Sequence, residues 1–140
     1  ATQPGEYKSE LERDSERLLR KAGFDPVYEG MTFTLVEGCR PKSKFYIKYP
    51  VTRKLIIDKG KIRPITYTPD FTFVHNDRLI VIECKGFPND VYTLKRKLFR
   101  KFLETYPIET LVFEIYTLKQ LQNAIDIINE KPKGDITSDK

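Results

Sequence analysis

Residues 71–85 constrain this chain more than any other stretch. FTFVH (71–75) and LIVIECK (79–85) are two apolar runs with only Asn76-Asp77-Arg78 between them. So short a connection predicts an antiparallel hairpin. Pairing 71–75 with 79–83 brings Asp70 opposite residues 83–84. Side chains alternate along a strand, so Val81, Glu83 and Lys85 share one face and Ile80, Ile82 and Cys84 the other. Two carboxylates and an ammonium are expected to converge at one end of a sheet.

Periodicity organises the rest. Residues 8–22 read as an amphipathic helix, with Leu11, Ser15, Leu18, Leu19 and Ala22 on one face and Gly23 ending it. Residues 26–36 alternate and read as one strand carrying Met31, Phe33 and Leu35. Residues 39–44 are a turn-rich linker, and 45–58 are strand-like but interrupted by Pro50. A helix over 90–105 places Val91, Leu94, Leu98 and Phe102 on one side. Residues 110–116 are a continuous apolar strand of the buried kind, expected to run parallel to the preceding one after the crossover helix. A last helix over 117–130 opens on a Thr117–Gln120 capping box and packs through Leu118, Leu121, Ile125 and Ile128. The expected fold is α/β, an α+β mixed sheet with helices on its faces, in the order helix, strands, helix, strand, helix. One domain over 1–131 and a flexible tail over 132–140 account for all 140 residues.

Composition removes several chemistries. A single histidine, His75, leaves no multi-histidine metal cluster, and the spacing offers no Ser-His-Asp or Cys-His arrangement. His75 beside a turn reads as structural. Cys39 and Cys84 lie too far apart in sequence for a CxxC knuckle and read as reduced packing residues. No apolar run is long enough for a membrane span, and the first residues show no signal-peptide core, so a cytoplasmic protein is expected. No Gly-rich phosphate loop is present, so no small-molecule cofactor is expected. Any catalysis falls to carboxylates and lysines.

The net charge is +5, and it is uneven. Residues 40–63 hold nine cations and one acid, or +8, while the other 116 residues sum to 16 minus 19, or −3. KRKLFRK (95–101) adds five cations without an acid. These patches point to a polyanion. Lys42, Lys44, Lys48, Arg53 and Lys54 in the first patch, and Lys95, Arg96, Lys97, Arg100 and Lys101 in the second, are the candidate DNA-phosphate contacts. The alternative for each is a solvated surface cation. Phe45, Tyr46 and Tyr49 interleave the first patch and suit either base stacking or core burial.

Two carboxylates a few ångströms apart repel unless a cation lies between them. Hard oxygen ligands suit Mg²⁺ or Mn²⁺, which polarises a phosphate and acidifies bound water. Lys85 is placed to orient or deprotonate that water, or to neutralise charge in the transition state. Residue by residue, the alternatives are a Lys–Glu surface pair and a turn aspartate.

The pattern P-D, twelve residues, then E-C-K resembles the PD-(D/E)-x-K nuclease superfamily. YTPDF and IECKG, with SELERDSERLLRKAGFDPVYE, resemble phage endonuclease I, a family of four-way-junction resolvases. YTPDF, K-G and LKRKLF also resemble small phage-encoded nuclease-like proteins. The resemblance spans about residues 7–116 and implies a restriction-endonuclease-like core. It implies Asp70, Glu83 and Lys85 as catalytic, Glu12 as a helix-borne fourth member, and the Cys84 backbone carbonyl as a metal ligand. Glu12 also fits a capping box with Ser9, where it would only satisfy a backbone N–H. A basic insertion at about 38–66 departs from endonuclease I and leaves junction specificity and dimer geometry open.

The expected activity is Mg²⁺-dependent hydrolysis of DNA phosphodiesters on branched DNA such as four-way junctions. If the chain is phage-encoded, that activity belongs in the host cytoplasm. Symmetric junction cutting would favour a homodimer. The alternatives are a nicking or restriction-type nuclease, a transposition nuclease subunit, a non-catalytic DNA-binding module on the same fold, or an RNA-binding or structural phage protein.

Overall fold

A computed structural model describes residues 7–85 and 89–130. The expectations for Gly86 and for the 132–140 tail lie outside the described residues. The central hairpin is β6 (Phe71–His75) with β7 (Arg78–Cys84). Its loop has two residues rather than three, because His75 pairs with Arg78. Asn76 and Asp77 take φ of 54° and 63°, left-handed values that their short polar side chains tolerate. Such turns match the twist of the flanking strands.

The main sheet runs β1-β6-β7-β8, where β1 is Val27–Tyr28 and β8 is Thr110–Ile115. β6 and β7 are antiparallel, and β8 is parallel to β7. The crossover between β7 and β8 carries α2 (Asp90–Leu103), whose Asn89 cap accepts the Tyr92 N–H. The sheet is therefore mixed, as expected from the order of elements. A second small sheet pairs β2 (Phe33–Val36) with β5 (Ile65–Tyr67), and a separate ribbon pairs β3 (Tyr46–Lys48) with β4 (Leu55–Ile57).

Alternation along β7 builds two cores. Ile80, Ile82 and Cys84 meet α1 (Glu10–Lys21) and α3 (Leu118–Asn129) through Leu19, Leu121, Ile125 and Ile128. Leu79 and Val81 pack on the opposite side with Phe33, Tyr67 and Phe99. Ile80 and Ile82 are fully buried, and each contributes about 2–3 kcal/mol. Among the described residues no helix is long and apolar enough to cross a membrane.

Several sequence expectations change. The single strand over 26–36 is two strands, because the Glu29 N–H bonds to the Asp70 carbonyl while Glu29 turns left-handed at φ 50°. β1 stays on β6, and the chain leaves to pair β2 with β5. The interruption expected at Pro50 is a reversal of the chain: β3 ends at Lys48, Pro50 lies in the tip, and β4 begins at Leu55. Cys39 is exposed rather than packed. On α1, Ala22 is exposed at the C-cap, and Glu12 and Glu16 are buried with Ser15 and Leu19. Glu16 is held by the Tyr7 hydroxyl and by Arg20.

The packed face of α2 is rotated from the one expected. Phe99 is buried against Phe33 and Tyr67, with Tyr92, Phe102 and Leu103 beside it, while Val91 and Leu94 are exposed. The aromatic side chains bury more surface than the aliphatic ones they displace. On α3, Leu118 is exposed rather than packed. β8 is an edge of the sheet, so only Ile115 is fully buried and Val112 is open to solvent.

Candidate functional site

The β6–β7 register pairs Phe71 with Ile82, which sets Asp70 across from Glu83. Asp70 Oδ2 accepts the Cys84 N–H at 2.7 Å. Glu83 Oε1 accepts the Tyr67 hydroxyl at 2.5 Å, and its Oε2 faces Lys85 Nζ at 3.6 Å. Lys85 Nζ lies 3.5 Å from the centroid of the Tyr92 ring. The Tyr92 hydroxyl donates to Glu114, which also pairs with Arg96 Nε at 3.2 Å. The expected trio of Asp70, Glu83 and Lys85 therefore shares one end of the sheet.

All three are buried, with relative exposures of 7%, 8% and 9%. Charged groups are rarely buried this deeply unless paired. Here the balance of charge is unequal. Asp70, Glu83 and the buried Glu12 are three carboxylates, and Lys85 is the one buried ammonium beside them. Burial and the neighbouring Glu83 push Asp70 up to about 8, against which the Cys84 N–H acts only in part. Glu83 is also raised by burial, although Tyr67 and Lys85 oppose the shift. Burial and Glu83 likewise hold Tyr67 well above the usual phenol range, so it stays a donor. Tyr92 is raised by burial and by its bond to Glu114.

Glu12 approaches from α1. Ser9 Oγ caps the helix by accepting the Glu12 N–H at 3.2 Å. Glu12 Oε1 accepts the Lys8 N–H at 2.7 Å and the Tyr28 hydroxyl at 2.8 Å. The cap is thus formed one residue further out than in the usual box. Its negative charge still raises Asp70. The expected backbone N–H contact of Glu12 is therefore found, at Lys8 rather than Ser9.

Cys84 points its thiol to α1, 3.6 Å from Ser15 Oγ, and burial pushes that thiol up to about 12. It is a packing group whose backbone serves the site. His75 stacks edge-on against Phe24 at 5.1 Å, away from the carboxylates, in keeping with a structural role.

Among the described residues, no three His, Cys, Asp or Glu side chains are arranged to hold a metal ion by themselves. Two carboxylates with a backbone carbonyl still suit Mg²⁺, which typically takes one or two carboxylates and completes its shell with water and substrate phosphate. Burial is the main reason both acids hold their protons more tightly, and the like charge of Glu83 adds to it at Asp70. A groove of about 610 Å³ opens behind the tyrosines, walled by Tyr67, Tyr92, Arg96, Arg100 and Glu114. The carboxylate pair lies outside its lining, so the groove adjoins the site without containing it.

The cationic candidates fall into two places. Lys42, Lys44, Lys48, Arg53 and Lys54 are exposed on and around the β3–β4 ribbon. Lys97, Arg100 and Lys101 are exposed on α2, Lys95 is half-buried, and Arg96 is tied to Glu114. Phe45, Tyr46 and Tyr49 are exposed, so core burial does not explain them. Sequence reasoning missed Tyr67, Tyr92, Glu114 and Tyr28. Tyr67 carried a signal as the first residue of YTPDF, and Tyr28 as part of the 9–29 stretch; Tyr92 and Glu114 come from elements whose placement no local pattern reveals.

Residues 40–122 match the model of DUF1064, a family described as proteins of unknown function. That span is 83 of the 140 residues. The chain belongs to the DUF1064 family. The DUF1064 span holds Tyr67, Asp70, Glu83, Lys85, Tyr92 and Glu114 together with the whole β3–β4 ribbon, while Glu12 and Tyr28 precede it. No curated protein and no solved structure matches the chain.

Proposed function

We propose that this DUF1064 protein is a divalent-metal-dependent endodeoxyribonuclease with a PD-(D/E)-x-K site on a restriction-endonuclease-like core. The observation that carries the reading is the buried meeting of Asp70, Glu83 and Lys85 at one sheet end, locked by the bond from Cys84 N–H to Asp70. The helix–strand–helix order and the parallel β8 are compatible with that core.

Asp70, Glu83 and the Cys84 carbonyl would hold Mg²⁺ or Mn²⁺, and Glu12 completes the acidic set. The ion bound there would polarise a phosphate oxygen and lower the pKa of a coordinated water. Lys85 is held by Glu83 and the Tyr92 ring, with its ammonium available to orient the attacking water or to neutralise charge on the phosphate. Tyr67 fixes the Glu83 carboxylate by its hydroxyl. Branched DNA is the proposed substrate class.

The test is cleavage of labelled duplex, flap and four-way-junction DNA with Mg²⁺ and with chelator. Cutting should need metal and fall by at least about a hundredfold in Asp70→Asn and Lys85→Ala, the scale of removing one positioned charge or proton-transfer group. Undiminished cutting in both variants would sink the reading. Tight junction binding without cutting in any metal identifies a DNA-binding module instead.

A further inference from the structure

The composition of the β3–β4 ribbon is not explained by the fold. Every residue from 39 to 64 is exposed, and neither core cluster draws on any of them. Tyr46 pairs with Ile57, Ile47 with Ile56 and Lys48 with Leu55. Alternation puts Tyr46, Lys48, Leu55 and Ile57 on one face and Ile47 and Ile56 on the other. Both faces thus carry large apolar side chains that stay 37–68% exposed. An isolated two-stranded ribbon is marginally stable, and contiguous exposed apolar surface marks an interaction site.

The tip is built rather than loose. The Tyr49 N–H bonds to the Lys54 carbonyl and the Arg53 N–H to the Tyr49 carbonyl, each at 2.8 Å, with Arg53 left-handed at φ 64°. This closes the chain around Pro50 and Val51. Val51 is 79% exposed, the highest value among the large apolar side chains described. Lys48, Arg53 and Lys54 flank it.

Charge decides the occupant. Residues 40–63 carry +8, so a second ribbon would be repelled. The rest of the chain, at −3 over 116 residues, is too weakly anionic to match it. A nucleic acid supplies both dense negative charge and stacked bases that accept an apolar wedge. A two-stranded ribbon also fits the major groove in width.

We propose that the β3–β4 ribbon is a DNA-gripping arm in which Lys48, Arg53 and Lys54 neutralise phosphates and the Pro50-Val51 tip wedges between base pairs at a kink or branch. The proposal takes its partner from the nuclease reading but does not need hydrolysis.

The test uses the full chain with chelator and no divalent metal, on labelled duplex and four-way-junction DNA. The triple variant Lys48→Ala, Arg53→Ala, Lys54→Ala should weaken binding at least about tenfold and flatten the log–log salt slope by about 0.9 for each phosphate left unneutralised. Val51→Ser should keep the salt slope, yet lose DNA bending measured by energy transfer and lose unstacking of a fluorescent base analogue. Wild-type binding, bending and unstacking in these variants would overturn the arm. So would a shift in sedimentation mass with DNA binding intact, which assigns the ribbon to an interface between copies. Separate cleavage assays keep the two readings apart. Wild-type binding and bending without cutting in Mg²⁺ ends the nuclease reading alone, whereas metal-dependent cutting with ribbon variants indistinguishable from wild type ends the arm alone.

Discussion

Asp70 and Glu83 are held where water cannot solvate their charges, and that makes the site costly for the fold. The folded value of Asp70, about 8, stands above its ordinary 3.8. The folded state therefore keeps a proton that the unfolded state releases. The stability this supplies is fully present below about pH 3.8 and is lost as pH rises through about 8. Without divalent cations, the unfolding free energy should be higher at pH 6 than at pH 9. Asp70→Asn should reduce that difference and stabilise the pH 9 protein by at least about 1.4 kcal/mol, the worth of one tenfold step in proton affinity. Denaturant titrations at the two pH values, in chelator, decide this; identical curves for variant and wild type would refute it. Glu12 is separable in the same way. Ser9→Ala should cost about 1 kcal/mol and leave turnover near wild type. Glu12→Gln keeps an acceptor for Lys8 and Tyr28, so it should fold yet cut poorly if its charge belongs to the site. A Glu12→Gln protein with full activity would leave only the cap.

At the scale of elements, α2 shows how far periodicity reaches. Its amphipathic pattern predicts a helix, and a helix is found at Asp90–Leu103. The same pattern places Phe102 correctly but misplaces the rest of the packed face, because Val91-Leu94-Leu98-Phe102 and Tyr92-Phe99-Leu103 both satisfy helical spacing. The choice was made by what waits across the interface: Phe33 at 5.0 Å and Tyr67 at 4.9 Å from the Phe99 ring, centroid to centroid. Phe99→Ala should therefore cost about 3–5 kcal/mol, whereas exposed Leu94→Ala should change stability by no more than about 0.5 kcal/mol. Equal effects in thermal melts would mean the face is assigned wrongly. The turn of α2 also matters to the site, since it brings Tyr92 under Lys85. The β6–β7 hairpin was legible to within one residue because its loop is local and its alternation strict. The split of 26–36 was not, because the Glu29–Asp70 bond that causes it joins neighbouring strands that lie far apart in sequence.

Across the whole molecule, order and charge are segregated. The buried cores lie on the two faces of β7, while the most cationic stretch is a ribbon packed in neither. Hydrogen exchange should reflect this, with amides of 79–82 among the slowest and those of 46–57 among the fastest until DNA is added. Slow exchange in the ribbon of the free monomer would contradict the division. The sequence by itself determined the mixed α+β class, the hairpin, the meeting of Asp70 with Glu83 and Lys85, and the position of the basic segment. Each follows from alternation, turn length or composition, which act between near neighbours in the chain. The tertiary structure alone decided that Tyr67 fixes Glu83, that the Tyr92 ring, itself bonded to Glu114, lies against Lys85, that Tyr28 shares Glu12 with a helix cap, and that Phe45, Tyr46 and Tyr49 face water. Those outcomes depend on which distant faces can bury the most surface together, and no local spacing encodes that competition.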